Sequence, residues 1–160
     1  MRVSELLQRG AVICRLTATR TEEAIREILE GLVEKGNEIT RERLDDTQVA
    51  LLKRESVGST GFGHGVALPH AKLPYVRDFA LGLGVSRSGV DFQSSDGRPV
   101  HVVFLVLSPV DDPYAHLRLM GLLAGIVRQD GFVDAMRRCA SSDAVVDHIA
   151  GSETHLFPDE

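Results

Sequence analysis

The run VHVVFLVLS, from Val100 to Ser108, decides the fold of this chain. Its β-branched and nearly continuous apolar residues are typical of a central strand that is buried on both faces. Apolar residues alternate with glycine from Phe79 to Val85 and predict a second strand. Shorter strands are predicted at Val12 to Leu16, at Val66 to Leu68 and at Gly89 to Phe92. The middle of the chain is therefore rich in strands.

Segments with apolar residues at helical spacing lie before and after these strands. The first helix is expected to begin near Thr19, which forms a capping box with Glu22, and to end at Gly36. Further helices are predicted at Arg41 to Lys53, from Ala115 to just before Gly131, at Phe132 to Arg138, and from a cap at Ser142 to about Ile149. This order predicts an α/β fold: a single domain with a mixed β-sheet flanked by helices on both sides. We expect the domain to cover residues 1–151 and the polar tail at 152–160 to be frayed.

The composition narrows the function classes. The chain has 160 residues, of which 43% are apolar and 26% charged, as in one ordinary globular domain. Its net charge of −5 argues against nucleic acid and anionic membranes as partners. No apolar run approaches the ~20 residues of a membrane helix, and MRVSELLQRGAV lacks the apolar core of a signal peptide, so we expect a cytoplasmic protein without membrane insertion. Cys14 and Cys139 are interpreted as core residues, not as a disulfide or zinc site.

The segment KRESVGSTGFGHGVALPHAK, from Lys53 to Lys72, carries the clearest chemical signal. Its glycines let the backbone turn tightly and expose N–H groups that suit an anion, and Ser59 and Thr60 add hydroxyl donors. Phosphate is the obvious candidate. The segment is neither a Walker loop nor a GxGxxG motif, which disfavours nucleotide binding. A tight turn without any ligand is an equally open interpretation.

Two histidines, His70 and His116, are candidate functional residues of this region. Pro69 helps to fix where His70 projects, and a neutral imidazole is a good nucleophile whose usual pKa of ~6.5 keeps much of it neutral in the cell. Arg54 would favour the neutral ring and balance the charge of an arriving phosphoryl group. His116 follows the exit loop of the central strand, so both histidines could meet at one edge of the sheet. The alternative for His116 is an ordinary surface histidine in a first helical turn.

The sequence resembles one protein family in three stretches that follow one another in order. They are RESVGSTGFGHGVALPH, GVDFQSSDGRPVHVVFLVLSP and HLRLM. These are similar to the EIIA domain of the fructose, mannitol and nitrogen-regulatory branch of the bacterial phosphotransferase system. The resemblance implies that His70 is the phosphoryl acceptor, through Nε2, with Arg54 and His116 holding the phosphoryl oxygens. It leaves Glu55 either in a structural ion pair or with a part in transfer.

The chain departs from the family pattern at a few positions. His64 stands where the family often has asparagine. Gly121 and Gly125 occupy a helix where alanine and leucine are expected, and each glycine costs about 1 kcal/mol of helix stability relative to alanine. None of these changes removes a group needed for phosphoryl transfer.

The resemblance implies a phosphocarrier and its partners. The donor would be HPr or its nitrogen-branch relative, no cofactor would be required, and the group would go to an EIIB component or the protein would act by regulated binding to a target. No EIIB or membrane EIIC region is fused in this sequence, so we expect a stand-alone nitrogen-regulatory EIIA. A separate sugar-specific EIIA and a regulatory module without transfer activity remain open, as does a minor alternative of a metal site.

The metal-site alternative and the phosphocarrier interpretation each imply a further set of residues. A metal site would be built from His64, His70 and His116. A partner that must reach His70 requires an exposed recognition surface, to which Phe62 and either Leu73 or Tyr114 are expected to contribute.

Overall fold

The computed structural model describes residues 1–36 and 38–159, and of Phe62 the backbone alone. The strands are β1 (Ala11–Ile13), β2 (Gly61–Gly63), β3 (Val66–Ala67), β4 (His70–Leu73), β5 (Ala80–Val90) and β6 (Val100–Pro109). The helices are α1 (Val3–Arg9), α2 (Thr21–Lys35), α3 (Leu44–Val57), α4 (Pro113–Val127), α5 (Phe132–Arg138) and α6 (Ser142–Leu156). A short 3₁₀ turn, Arg41–Arg43, leads into α3.

Strand β6 is the centre of the sheet, as the run from Val100 to Ser108 predicts. It pairs antiparallel with β5 on one side and parallel with β3 and β4 on the other, so the sheet is mixed. The order of strands is β1-β5-β6-β3-β2, with β4 also on β6. The sequence-based fold class, one domain with a mixed sheet, is confirmed.

Alternate side chains of β6 supply two separate cores. Val102, Phe104 and Val106 face one side of the sheet and pack with α1, α4, α5 and α6. Val103, Leu105 and Leu107 face the other side and pack under α2 and α3. A strand covered on both faces needs apolar residues at every position, which explains the nearly continuous apolar run. The predicted helices on both sides of the sheet are confirmed.

Some element boundaries differ from the sequence-based predictions. The expected strands at 79–85 and 89–92 are joined in one long strand, β5, which ends at Val90 and so leaves residues 91 and 92 outside it. Helix α3 continues to Val57, past the predicted end at Lys53, because no helix breaker occurs before Gly58. Helix α2 begins at Thr21 without the predicted capping box. Helix α1 was not predicted, because a helix of only seven residues shows little apolar periodicity in the sequence.

The prediction of a frayed tail after Gly151 is wrong for residues 152–156, which continue α6. Glu153 is 3% exposed, and its carboxylate accepts hydrogen bonds from the backbone N–H groups of Val3 (2.7 Å) and Ser4 (2.9 Å) and from the Ser4 hydroxyl. These polar residues are ordered because they satisfy the free N–H groups at the start of α1. None of the helices in the described ranges is long and apolar enough to cross a membrane.

Candidate functional site

The imidazole rings of His70 and His116 lie close together near the C-terminal end of β6, beside its parallel partner β4. His70 is the first residue of β4 and pairs with Val106. His116 lies in the first turn of α4, where the N-cap Asp112 accepts a hydrogen bond from the N–H of Ala115. The ring centroids are 5.7 Å apart, and the ring planes are inclined by 47°. The expected meeting of both histidines at one edge of the sheet is confirmed.

His70 is oriented by a break in the backbone. It begins a new strand, β4, separate from β3, because Pro69 has no N–H group with which to continue the ladder. Nδ1 of the ring lies 2.7 Å from the carbonyl oxygen of Leu68. A carbonyl can only accept, so Nδ1 carries the proton and Nε2 of the neutral ring keeps its lone pair. The nucleophilic atom of this ring is therefore Nε2.

His116 is held as a neutral partner beside His70. Its Nδ1 lies 2.6 Å from the hydroxyl oxygen of Ser108. Burial, and then the neighbouring charges of His70 and Lys72, lower the pKa of His116 below its usual value. At neutral pH the second ring can therefore act as a hydrogen-bond donor without adding a full charge to the site.

Arg54 lies near the end of α3, a helix on the other face of the sheet from α4. Its Nη1 donates a hydrogen bond to the carbonyl oxygen of Gly58 at 2.9 Å and so satisfies the end of the helix. Among the contacts of the described residues, none joins Arg54 to His70 or His116. This bond uses one of the five N–H donors of the guanidinium, and the others could still bind a phosphoryl oxygen.

The side chains of Ser59, Thr60 and Glu55 are hydrogen-bonded to other groups of the protein. The Ser59 hydroxyl donates to the carbonyl oxygen of Phe92 at 2.6 Å and accepts from the N–H of Gly61 at 3.0 Å. The Thr60 N–H (3.0 Å) and hydroxyl both donate to the Glu55 carboxylate. Glu55 thus closes the loop by hydrogen bonds, and an ion pair to it is absent from the described contacts. A role for these three residues in phosphoryl binding stays a prediction.

The glycine-rich segment forms a hairpin in place of an open anion loop. Gly61–Gly63 is strand β2 and pairs antiparallel with β3. The connecting turn places Gly63, His64 and Gly65 at positive φ values of 110°, 60° and 79°. Histidine tolerates this left-handed conformation better than most residues, as does asparagine, so His64 at this position preserves the turn.

His64 lies away from the two paired rings. Gly65, its neighbour, accepts hydrogen bonds from the N–H groups of His101 and Val102 at the opposite end of β6. In the part of the chain that the structure describes, no group of three or more histidine, cysteine, aspartate or glutamate side chains is arranged to hold a metal ion.

Three apolar residues that are near His116 in the sequence are exposed. Val110, Tyr114 and Leu117 are 53%, 81% and 70% exposed. Of the two expected alternatives, Tyr114 is exposed, whereas Leu73 is buried among the residues under α2 and α3 and cannot contribute to a contact surface. The side chain of Phe62 lies outside the described residues.

Sequence reasoning missed Ser108, which binds His116. The signal was a polar residue at the end of an otherwise apolar run, two positions after the strand partner of His70. Residues two apart on a strand face the same side of the sheet, so Ser108 projects toward the same helix layer as Val106.

Comparison with known proteins identifies the family. The model of the phosphoenolpyruvate-dependent sugar phosphotransferase system EIIA 2 family matches residues 5–152. The PTS system fructose-specific EIIABC component of Bacillus subtilis is 32% identical over 152 residues, which are 93% of this chain and 23% of that protein, so the chain spans about a quarter of this relative. The nitrogen regulatory protein of Bradyrhizobium diazoefficiens is 31% identical over 94% of this chain and 95% of that protein.

A solved structure agrees with this assignment. The crystal structure of nitrogen regulatory protein IIA-Ntr from Neisseria meningitidis superposes with a TM-score of 0.80 at 26% identity, covering 92% of this chain and 98% of that one. With the family match spanning nearly the whole described fold, the chain belongs to the EIIA 2 family of the phosphoenolpyruvate-dependent sugar phosphotransferase system.

Proposed function

We propose that this chain is a phosphocarrier that accepts a phosphoryl group on Nε2 of His70 from HPr or a nitrogen-branch relative of HPr. One observation carries the proposal: the Leu68 carbonyl holds the proton of His70 on Nδ1 and leaves the Nε2 lone pair beside a second imidazole. A free lone pair at a partly exposed strand end is what an acceptor for a protein-borne phosphoryl group needs.

The transfer step needs little from the protein beyond positioning. The bond between phosphorus and the donor's histidine nitrogen breaks, the donor ring keeps that electron pair, and the Nε2 lone pair of His70 forms the new bond to phosphorus. Hydrogen-bond donors around the three equatorial oxygens stabilise the transition state. We assign this role to His116 and to the N–H groups of Arg54 that do not bond the Gly58 carbonyl. The proposal invokes neither a metal nor a cofactor.

In this proposal, three residues next to the site have a structural role. Ser59, Thr60 and Glu55 fix the segment that leads to Arg54 and to the β2–β3 hairpin. The hydroxyl groups of Ser59 and Thr60 would bind phosphoryl oxygens only after releasing the acceptors that they have in the structure.

The surface around His116 supports exchange with protein partners. Val110, Tyr114 and Leu117 are exposed apolar residues within six positions of His116 in the sequence, just after β6 and in α4. Apolar residues with a central polar group are typical of protein contact surfaces. Phosphorylation of His70 would add about 1.5 to 2 negative charges to this surface and so change the partners it accepts.

We propose a nitrogen-regulatory role ahead of sugar uptake. The support is that the chain covers 95% of the Bradyrhizobium nitrogen regulatory protein and 98% of the Neisseria IIA-Ntr chain. In this role the carrier would act in the cytoplasm, by phosphorylation-dependent binding to a regulatory target.

Sugar uptake is the second candidate. It is favoured by the 32% identity to the fructose-specific EIIABC component of Bacillus subtilis over 93% of this chain. In that role the phosphoryl group would pass from His70 to an EIIB component.

The test is phosphorylation with purified components. Incubation with phosphoenolpyruvate, the first enzyme of the system and HPr or its nitrogen-branch relative should add one acid-labile phosphoryl group. His70→Ala should abolish the label, His116→Ala and Arg54→Ala should slow labelling, and the exposed control His155→Ala should leave it unchanged. Rapid loss of the label to a fructose-type EIIB would favour sugar uptake. A protein that takes up no label from either donor would be a module without transfer activity, and the proposal would fail.

A further inference from the structure

We propose that Ser108 sets the tautomer of His116: its hydroxyl donates to Nδ1 and keeps the proton of the neutral ring on Nε2. The assignment of the tautomer stands by itself, whereas its use in phosphoryl transfer rests on the proposed function. Ser108 would therefore be a positioning residue that acts through His116.

The strand register places Ser108 beneath the paired rings. His70 pairs with Val106 and Lys72 pairs with Ser108 along the parallel strands β4 and β6. Paired residues of neighbouring strands project on the same face, so Ser108 and His70 point toward the layer that contains α4. Ser108 is fully buried, and its hydroxyl oxygen lies 2.6 Å from Nδ1 of His116.

The direction of this hydrogen bond follows from what the hydroxyl can reach. Within the described residues, Nδ1 of His116 is the one hydrogen-bond partner of the Ser108 hydroxyl. If Nδ1–H donated to the oxygen, the hydroxyl proton would be buried without an acceptor, which folded proteins rarely tolerate. The hydroxyl therefore donates, Nδ1 accepts, and the proton of the neutral ring resides on Nε2.

The two histidines are thus fixed in opposite tautomers. The Leu68 carbonyl requires a proton on Nδ1 of His70, while Ser108 requires a lone pair on Nδ1 of His116. One Nε2 is then a nucleophile and the other Nε2 is a hydrogen-bond donor. An acceptor for a phosphoryl group needs this combination, since the attacking atom must be unprotonated and the oxygens need N–H groups.

A hydroxyl suits this position better than a carbonyl or a carboxylate would. When negative charge arrives on His70, His116 can take up a second proton, and its new Nδ1–H needs an acceptor. The Ser108 hydroxyl can rotate and accept, because it has both a donor and lone pairs. In the unphosphorylated protein, Lys72 and His70, when its ring is protonated, oppose this second proton on His116.

The first test reads the tautomer directly in unphosphorylated protein. Long-range ¹H–¹⁵N NMR correlations at a pH well above the imidazole pKa should show His116 of the wild type with its proton on Nε2. Ser108→Ala should allow the Nδ1–H form to appear as a detectable minor population, whereas Ser108→Thr, which retains the hydroxyl, should restore the wild-type pattern. The control Ser86→Ala removes another buried hydroxyl, on β5, and should leave His116 unchanged.

Either of two results would overturn the tautomer assignment. One is a wild-type His116 with its proton on Nδ1, a result that needs no variant to fold. The other is a Ser108→Ala protein in which His116 remains wholly in the Nε2–H form.

The second test measures transfer to His70. Ser108→Ala should accept the phosphoryl group about three- to tenfold more slowly, as expected for the loss of one orienting hydrogen bond, and Ser108→Thr should recover the rate. An unchanged rate with an altered tautomer would refute the role in transfer. A wild-type protein with the expected tautomer that takes up no label would refute the proposed function and leave the tautomer assignment intact.

Discussion

At the scale of single residues, the chemistry of the site depends on which nitrogen of each imidazole ring carries the proton. The topology of the sheet could be used to predict that His70 and His116 meet, because the carboxyl ends of strands gather ligand sites. The orientation of the rings could not be predicted, because it depends on the Leu68 carbonyl and the Ser108 hydroxyl. Those contacts arise from a backbone break at Pro69 and from strand register, neither of which a local pattern contains.

His116 should make the stability of the protein depend on pH. Its pKa in the folded state is lowered from the usual ~6.5, so the unfolded chain binds more protons between the folded-state pKa and 6.5. The contribution of His116 to the free energy of unfolding is therefore fully present above about pH 6.5. It is lost as the pH falls through this window. Urea unfolding across the window should show a shallower decrease in His116→Gln than in the wild type.

The exposed residue His155 provides the control for this measurement. His155→Gln should retain the wild-type slope of unfolding free energy against pH. Equal slopes for the wild type and His116→Gln would contradict the lowered pKa of His116.

At the scale of elements, apolar periodicity is informative where an element is buried along its length. The run from Val100 to Ser108 predicts β6 to within one residue, and the predicted helix from Phe132 to Arg138 coincides with α5. The end of α3 was missed because its last turns, including Arg54 and Glu55, carry no buried apolar residue. The prediction consequently placed both residues in the loop.

The two glycines of α4 should respond differently to alanine. A Cβ at Gly121 would meet no atom within 4 Å, whereas a Cβ at Gly125 would lie 2.7 Å from the ring of Phe157. Gly121→Ala should raise the free energy of unfolding by about 0.5 to 1 kcal/mol, because alanine favours the helix. Gly125→Ala should lose this gain, because the Phe157 ring has to move.

Urea or thermal unfolding of the two variants checks this prediction, and each serves as the control for the other. Equal stabilisation by both substitutions would show that Phe157 does not pack against α4 as the structure has it.

At the scale of the whole molecule, the two ends of the chain are joined through Glu153. Its carboxylate receives the N–H groups of Val3 and Ser4, so α6 caps α1 across 150 and 149 residues of sequence. No local pattern signals a contact between residues so distant in the chain. A buried carboxylate within a polar tail therefore escaped sequence-based prediction, and the tail was expected to fray.

Glu153→Ala should destabilise the protein by about 1 to 3 kcal/mol. The substitution leaves the N–H groups at the start of α1 buried without acceptors, which costs their desolvation free energy. Denaturant unfolding measures the change, and Asp147→Ala, at an exposed position of the same helix, is the matched control. If both variants unfolded at the same denaturant concentration as the wild type, the link between α1 and α6 would contribute nothing to stability.

The most direct test of the proposed carrier function locates the phosphorus atom. The wild-type protein, labelled with ¹⁵N at histidine and phosphorylated from phosphoenolpyruvate through the donor proteins, would be examined by long-range ¹H–¹⁵N and ³¹P NMR. We predict a single phosphorus–nitrogen bond, at Nε2 of His70, with Nδ1 still protonated against the Leu68 carbonyl. A phosphoryl group on Nδ1 of His70 or on His116, or the absence of any phosphohistidine, would contradict it.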